Sequence, residues 1–309
     1  MLPKFLKKDS SSCRKLLRHT AALGTIAMIS SFSAGTVIAE TVQVSDDLTL
    51  YYEVAGSGDK TILFVPGWGM SSAVFEKQFE EFEGSDEYRA ISYDPRGQGQ
   101  SSKTEGGHFY DQRGADLHAF IEALNLNNIT LVGWSYGTLD QFAYISQFGT
   151  DKLDGAVIVD GTVKTVGEDN TKEWVWYSKN DADGYRQWYT MTPLTDRKGF
   201  NTAFAEWMLE GASAENVEWI SNIANQTSDT TMAILNETAS YADYSETLHS
   251  LEGQLPLLLV MREEWKDIVS NHAAENLPSA NVVAFGKHMM FWDQPEAFNN
   301  ELKAFLNSQ

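Results

Sequence analysis

ITLVGWSYGTLDQFAYISQFG, Ile129 to Gly149, is the stretch from which the rest of the chain is read. Apolar and β-branched residues run into Gly133, a single serine stands between two glycines, and a run with helical spacing follows. A glycine-x-serine-x-glycine pattern alone is weak, and its context carries the reading. A buried strand before it and a helix after it form a sharp strand-to-helix turn that exposes the Ser135 hydroxyl. The helix N-terminus behind that turn favours developing negative charge.

Outward from this stretch, strand-like runs alternate with helix-like ones, the signature of a mostly parallel α/β sheet. The runs are Leu48 to Gly56, Thr61 to Gly67, Tyr88 to Asp94, Ile129 to Gly133, Leu153 to Asp160, Leu255 to Met261 and Ala280 to Gly286. Several are continuous Val/Ile/Leu segments, as strands buried on both faces are. DQRGADLHAFIEAL and QPEAFNNELKAFLNS have helical periodicity. Between Asp160 and Leu255 no convincing strand is legible, but Trp174, Trp176, Trp188, Trp207 and Trp219 gather there with Tyr177, Tyr185 and Tyr189. So long a structureless loop is improbable in a compact domain, and the interval reads as a helical cap over 161–250, inserted between core segments 40–160 and 251–309. Most of its aromatics would form cap core, with a few facing what the sheet binds.

The first 39 residues read as a signal peptide. Lys4, Lys7, Lys8, Arg14, Lys15 and Arg18 precede an apolar run that ends in Val37-Ile38-Ala39, so the exported chain is expected to start near Glu40, in the periplasm or outside the cell. An uncleaved anchor is the alternative, although serines and Gly35 break a run barely long enough to span. The single cysteine, Cys13, lies in this leader, so the remainder has no disulfide, thiolate metal site or cysteine nucleophile. Without the leader, 17 basic residues face 42 acidic ones, a surface that repels nucleic acid and anionic membranes. No metal-ligand cluster and no phosphate-cradling loop is legible, and no cofactor is expected. Gly97 and Gly99 in RGQGQ are followed by no lysine at P-loop spacing.

Serine at its ordinary pKa is a poor nucleophile and needs a base, normally a histidine oriented by a carboxylate. Of His108, His118, His249, His272 and His288, the last stands apart. It falls in the loop after the last strand and before the last helix, and the carboxyl ends of parallel strands are where such sheets gather their chemistry.

FVPGWG, YDPRGQGQSS, LVGWSYG and GKHMMFWDQPEAFNNELKAFL, in this order and spacing, make the chain resemble α/β-hydrolase-fold serine hydrolases, over nearly everything except the leader and the cap. The resemblance implies Ser135 as nucleophile, His288 as base, and the backbone amides of Trp68 and Tyr136 as oxyanion hole. It implies a turn-tying role for Asp94 and Arg96. Relatives that dehalogenate or open epoxides carry aspartate where Ser135 stands. One departure is plain: the usual acid follows the penultimate strand as glycine-x-x-aspartate, but MREEWKD has Arg262 at the glycine position and Trp265 at the aspartate position. The acid is then Asp160, at the end of the strand before the cap, or alternatively a loop carboxylate, Glu264 ahead of Glu263 or Asp267. A strand end fixes a carboxylate better than an irregular loop does, which favours Asp160. The activity so implied is cleavage of a small-molecule carboxylic ester, with an uncharged acyl or alkyl group, through an acyl-enzyme. Lactonase, amidase (including acyl-homoserine lactone acylase) and perhydrolase chemistry would use the same residues, and a non-catalytic ligand binder is the alternative of a different class.

Overall fold

In the computed structural model the described residues are 37–309, so the leader expected over 1–39 lies outside them except for its last three positions. Eight strands form the main sheet: β1 (Ile38–Ser45), β2 (Leu48–Gly56), β3 (Lys60–Val65), β4 (Tyr88–Tyr93), β5 (Ile129–Trp134), β6 (Leu153–Val159), β9 (Leu257–Met261) and β10 (Asn281–Ala284). Their order is β1-β2-β4-β3-β5-β6-β9-β10. β2 pairs antiparallel with both β1 and β4, and every other pairing is parallel. Strand β1 is absent from the sequence reading. Its first two residues fall inside the expected leader, and Ile38 and Ala39 pair with Val54 and Glu53.

Alternation in the buried strands builds two cores, one on each face of the sheet. Ile62, Phe64, Val132, Val157 and Val260 point to one face, while Leu63, Val65, Leu131, Ile158 and Leu259 point to the other. Helices α1 (Glu76–Phe82), α2 (Tyr110–Ala123), α3 (Gly137–Phe148), α10 (Lys266–Asn276), α11 (Met290–Asp293) and α12 (Pro295–Leu306) flank the sheet. The chain leaves β3 towards β4 on one side and later towards β5 on the other. The crevice at the carboxyl ends of β3 and β5 is therefore the topological switch point where such sheets bind ligands.

Between β6 and β9 the excursion is mainly helical: α4 (Ala182–Arg186), α5 (Thr192–Thr195), α6 (Arg197–Met208), α7 (Ala214–Ala224), α8 (Asp229–Ala239) and α9 (Ser245–Ser250). Gln187–Met191 is a π-helical turn joining α4 to α5. One correction applies to the strandless reading of this interval. β7 (Val166–Gly167) and β8 (Tyr177–Ser178) pair in parallel as a separate ribbon, each two residues long and too short to show a period. Among the described residues no helix is long and apolar enough to cross a membrane.

Candidate active site

Ser135 occupies the turn between β5 and α3 with φ of 56°, a left-handed conformation that costs a non-glycine residue about 1–2 kcal/mol. The turn is fixed at both ends: Ser135 N donates to Val159 O at 2.9 Å, and Thr138 N donates to Ser135 O at 3.1 Å. Both flanking glycines are required by close approach. A Cβ on Gly133 would lie 2.5 Å from Gln141 Oε1, and one on Gly137 would collide with the Val65 carbonyl.

Beside this turn, the segment after β3 brings in Trp68. Among the described residues neither the Trp68 nor the Tyr136 backbone amide donates to a protein acceptor, which leaves both for a ligand oxygen. The fully buried Gln98 holds the segment: its Nε2 donates to Gly67 O (3.1 Å) and Met70 O (2.7 Å), and its Oε1 accepts from Gly69 N (3.3 Å). Gln98 in turn accepts from Arg113 Nη1 at 2.9 Å, and Arg113 forks onto Asp140 at 2.6 and 2.5 Å. Burial works against the Arg113 charge, but Asp140 holds it above its ordinary pKa. Asp94 caps the next turn through Ser72 N and Oγ (2.7 and 2.8 Å) and Gln100 N (2.6 Å), while Arg96 pairs with Asp116. Gln98, Arg113 and Asp140 escaped the sequence reading because no spacing rule links them.

Asp160, fully buried at the end of β6 with φ of 37°, accepts from His288 Nδ1 on Oδ2 at 2.5 Å. The same Oδ2 accepts from Arg262 Nη1 at 2.7 Å, and Oδ1 accepts from Arg262 N at 3.1 Å. Burial alone pushes the Asp160 pKa up, but the Arg262 charge and the His288 hydrogen bond outweigh it and hold the carboxyl below its usual value. Since an ionised carboxylate only accepts, Nδ1 of His288 carries a proton and Nε2 of the neutral ring is left as an acceptor. Burial lowers the His288 pKa; Asp160 pulls it up, Arg262 pulls it down, and the net shift is downward.

The structure does not bring Glu264 to His288. Its side chain is 85% exposed and lies 3.5 Å from Arg262 Nε. The other histidines are elsewhere: His108 bonds Thr104 O, His118 stacks on Phe148, and His249 meets His272. Ser135 and His288 line one cavity but make no hydrogen bond to each other, a looseness common before substrate binds.

The cap nearly closes that cavity. Trp68, Tyr136, Trp176, Tyr185, Tyr189 and Trp207 surround Ser135 and His288, leaving a cavity of about 20 Å³. That is room for one water molecule. Trp176, Tyr185, Tyr189 and Trp207 also wall an outer cavity of about 510 Å³. The cap is tied to the histidine loop on one side, where Met289 N donates to Met208 O (3.1 Å) and Glu210 N to Asp293 Oδ2 (2.8 Å).

These features can be set beside known proteins. A non-heme haloperoxidase of Rhodococcus erythropolis is 33% identical over 118 residues, 38% of this chain and 42% of that protein's own length. A bifunctional esterase/perhydrolase of Acinetobacter calcoaceticus is 25% identical over 300 residues, covering 86% of this chain and 99% of the relative. The crystal structure of a bromoperoxidase from Bacillus anthracis superposes with a TM-score of 0.78 at 24% identity, covering 87% of this chain and all of that one. A family model for the alpha/beta hydrolase fold matches residues 60–294, from the start of β3 past the histidine loop, and the chain belongs to the alpha/beta hydrolase fold family of enzymes.

Proposed function

We propose that the protein is a serine hydrolase that cleaves a carboxylic ester through an acyl-enzyme. The observation that carries this is His288, hydrogen-bonded to Asp160, lining one narrow aromatic chamber with Ser135 and the two residues whose amides are undonated. Ser135 Oγ attacks the ester carbonyl carbon as His288 Nε2 takes its proton. The oxygen that becomes negative is received by the Trp68 and Tyr136 amides, donors whose individual removal costs about 2.7–4 kcal/mol in comparable sites. Collapse of the tetrahedral species breaks the bond to the leaving oxygen, which departs with the proton from Nε2. Water, deprotonated by the same nitrogen, then releases the acid and restores Ser135. An aromatic chamber without a buried cation aimed at the acyl group favours a small uncharged acyl chain.

The test is hydrolysis of p-nitrophenyl esters of graded chain length by Ser135→Ala, His288→Ala, Asp160→Asn and Glu264→Gln. The first three are expected to lower kcat by several powers of ten and the fourth to leave it near wild type. Collapse in Glu264→Gln with an active Asp160→Asn would move the acid to Glu264. A wild type that cleaves no ester but acts on lactones, amides or acid plus peroxide would replace the substrate class. A folded wild type that also takes no fluorophosphonate on Ser135 would point to a non-catalytic binder.

We also propose export with cleavage after Ala39. Such a cut would remove two residues of β1 and leave the pairing from Glu40 onwards, including the Tyr52 hydroxyl bond to Glu40. N-terminal sequencing of the exported protein is expected to begin at or near Glu40. A mature chain starting at Met1 would overturn this reading.

A further inference from the structure

We propose that Arg262 is a positioning residue of this site, fixing Asp160 from the end of β9 and setting the charge that His288 faces. The inference rests on the hydrolase reading above. Asp160 Oδ2 is shared between His288 Nδ1 (2.5 Å) and Arg262 Nη1 (2.7 Å), while Oδ1 is held by the Arg262 backbone amide (3.1 Å). Three donors from two elements therefore fix the plane of a fully buried carboxylate. Without the Arg262 guanidinium, Oδ2 of that carboxylate would keep only His288, while Oδ1 would keep the backbone amide of residue 262.

The guanidinium is itself constrained. It lies 3.9 Å from the Trp265 ring centre, with Trp176 at 5.3 Å and Trp207 at 5.7 Å, and its side chain is 12% exposed. Two of these rings, Trp176 and Trp207, also line the catalytic chamber. A flat cation stacked on an indole while its Nη1 donates to a buried carboxylate oxygen is a geometry that lysine does not reproduce.

Charge follows from the same placement. The groups around His288 are Asp160 at the end of β6, Arg262 at the end of β9, Glu264 behind Arg262, and Ser135 on the β5–α3 turn. The cap contributes the uncharged rings of Trp176 and Trp207, and Lys287 interacts with Asp293. Burial depresses the His288 pKa most, Asp160 opposes this, and Arg262 adds to the depression. A base that stays neutral at lower pH is the expected benefit, and removal of Arg262 would let the imidazolium form more readily.

Arg262→Gln and Arg262→Lys should be compared with wild type for kcat and KM on p-nitrophenyl acetate across pH, with folding checked by near-UV circular dichroism. For Gln, kcat is expected to fall by about tenfold or more at little change in KM. Its acid limb in kcat/KM should move up by roughly one pH unit, since a positive charge beside the base is lost. For Lys, the limb should stay near wild type while kcat remains reduced, because charge is kept and the stacked, Nη1-donating guanidinium plane is not. A folded Gln variant with an unmoved limb, whatever its rate, would overturn the proposal. If Gln does not fold, Lys carries the test: wild-type kcat, or a limb raised by a full unit, would overturn it. A wild type with neither esterase activity nor fluorophosphonate labelling would instead sink the hydrolase reading.

Discussion

Trp207→Ala is the substitution that most directly interrogates the closed chamber. The indole is 38% exposed, stands 4.5 Å from the His288 ring and 5.7 Å from Phe204, and belongs to both the inner and the outer cavity. Its removal joins about 20 Å³ at Ser135 to the outer 510 Å³ without touching the Asp160–His288 hydrogen bond. A buried methylene is worth about 0.8 kcal/mol, which is roughly fourfold in kcat/KM. Four additional methylenes, from acetate to hexanoate, therefore set a ceiling of about 200-fold on the change in preference. Because the joined cavity stays partly wet, the expected gain in the hexanoate-to-acetate ratio is at least about tenfold, below that ceiling. The assay is kcat/KM for p-nitrophenyl acetate, butyrate and hexanoate in both proteins, with the acetate value expected to change by less than about tenfold. An unchanged ratio in a folded variant would refute the idea that the cap sets acyl length by enclosure.

Three further expectations concern the scaffold and the base. Asp140→Asn leaves Arg113 charged and uncompensated in the core, so unfolding free energy should drop by about 3–5 kcal/mol; a loss under 1 kcal/mol in denaturant titration would contradict the pair's role. Gln98→Ala frees the Trp68 segment, and kcat should fall towards the 10²–10³ range typical of a lost oxyanion donor while KM changes little; wild-type turnover would show that the segment holds its shape without Gln98. In wild type, the proposed mechanism requires neutral His288, whose pKa is depressed chiefly by burial, so kcat/KM should be lost as pH falls through a midpoint below about 6.5; a midpoint above 7 would count against that assignment.

The parts of the site that were legible in sequence are those set by local chain geometry. Ser135 could be read because strand, tight turn and helix are contiguous, and His288 because it follows the last strand. The choice between Asp160 and Glu264 stayed open in sequence because it depends on sheet order. Strand β6 lies next to β9, so the end of β6 faces the histidine loop while Glu264 turns outward. Arg262 read only as a departure from a pattern, since its partner is 102 positions away in the chain. Strand β1 was hidden by a leader boundary drawn through its first residues, despite the alternation of Val42 and Val44. The chamber's size was equally hidden, because its walls come from separate helices whose packing no periodicity encodes.

The bond from Met289 N to Met208 O has a mechanical consequence. It ties the residue after His288 to the last turn of α6, immediately beyond Trp207, so lifting that end of the cap would break this bond or strain the histidine loop. Among the described residues the opposite side of the chamber carries no such tie to the histidine loop, and there Tyr185 and Tyr189, the latter on the π-helical turn, wall both cavities. π-Helical turns of that kind recur at functional sites. In hydrogen-exchange terms, the amide of Met289 is expected to be better protected than those of Gln187–Met191, so that the roof is anchored along one edge, beside His288.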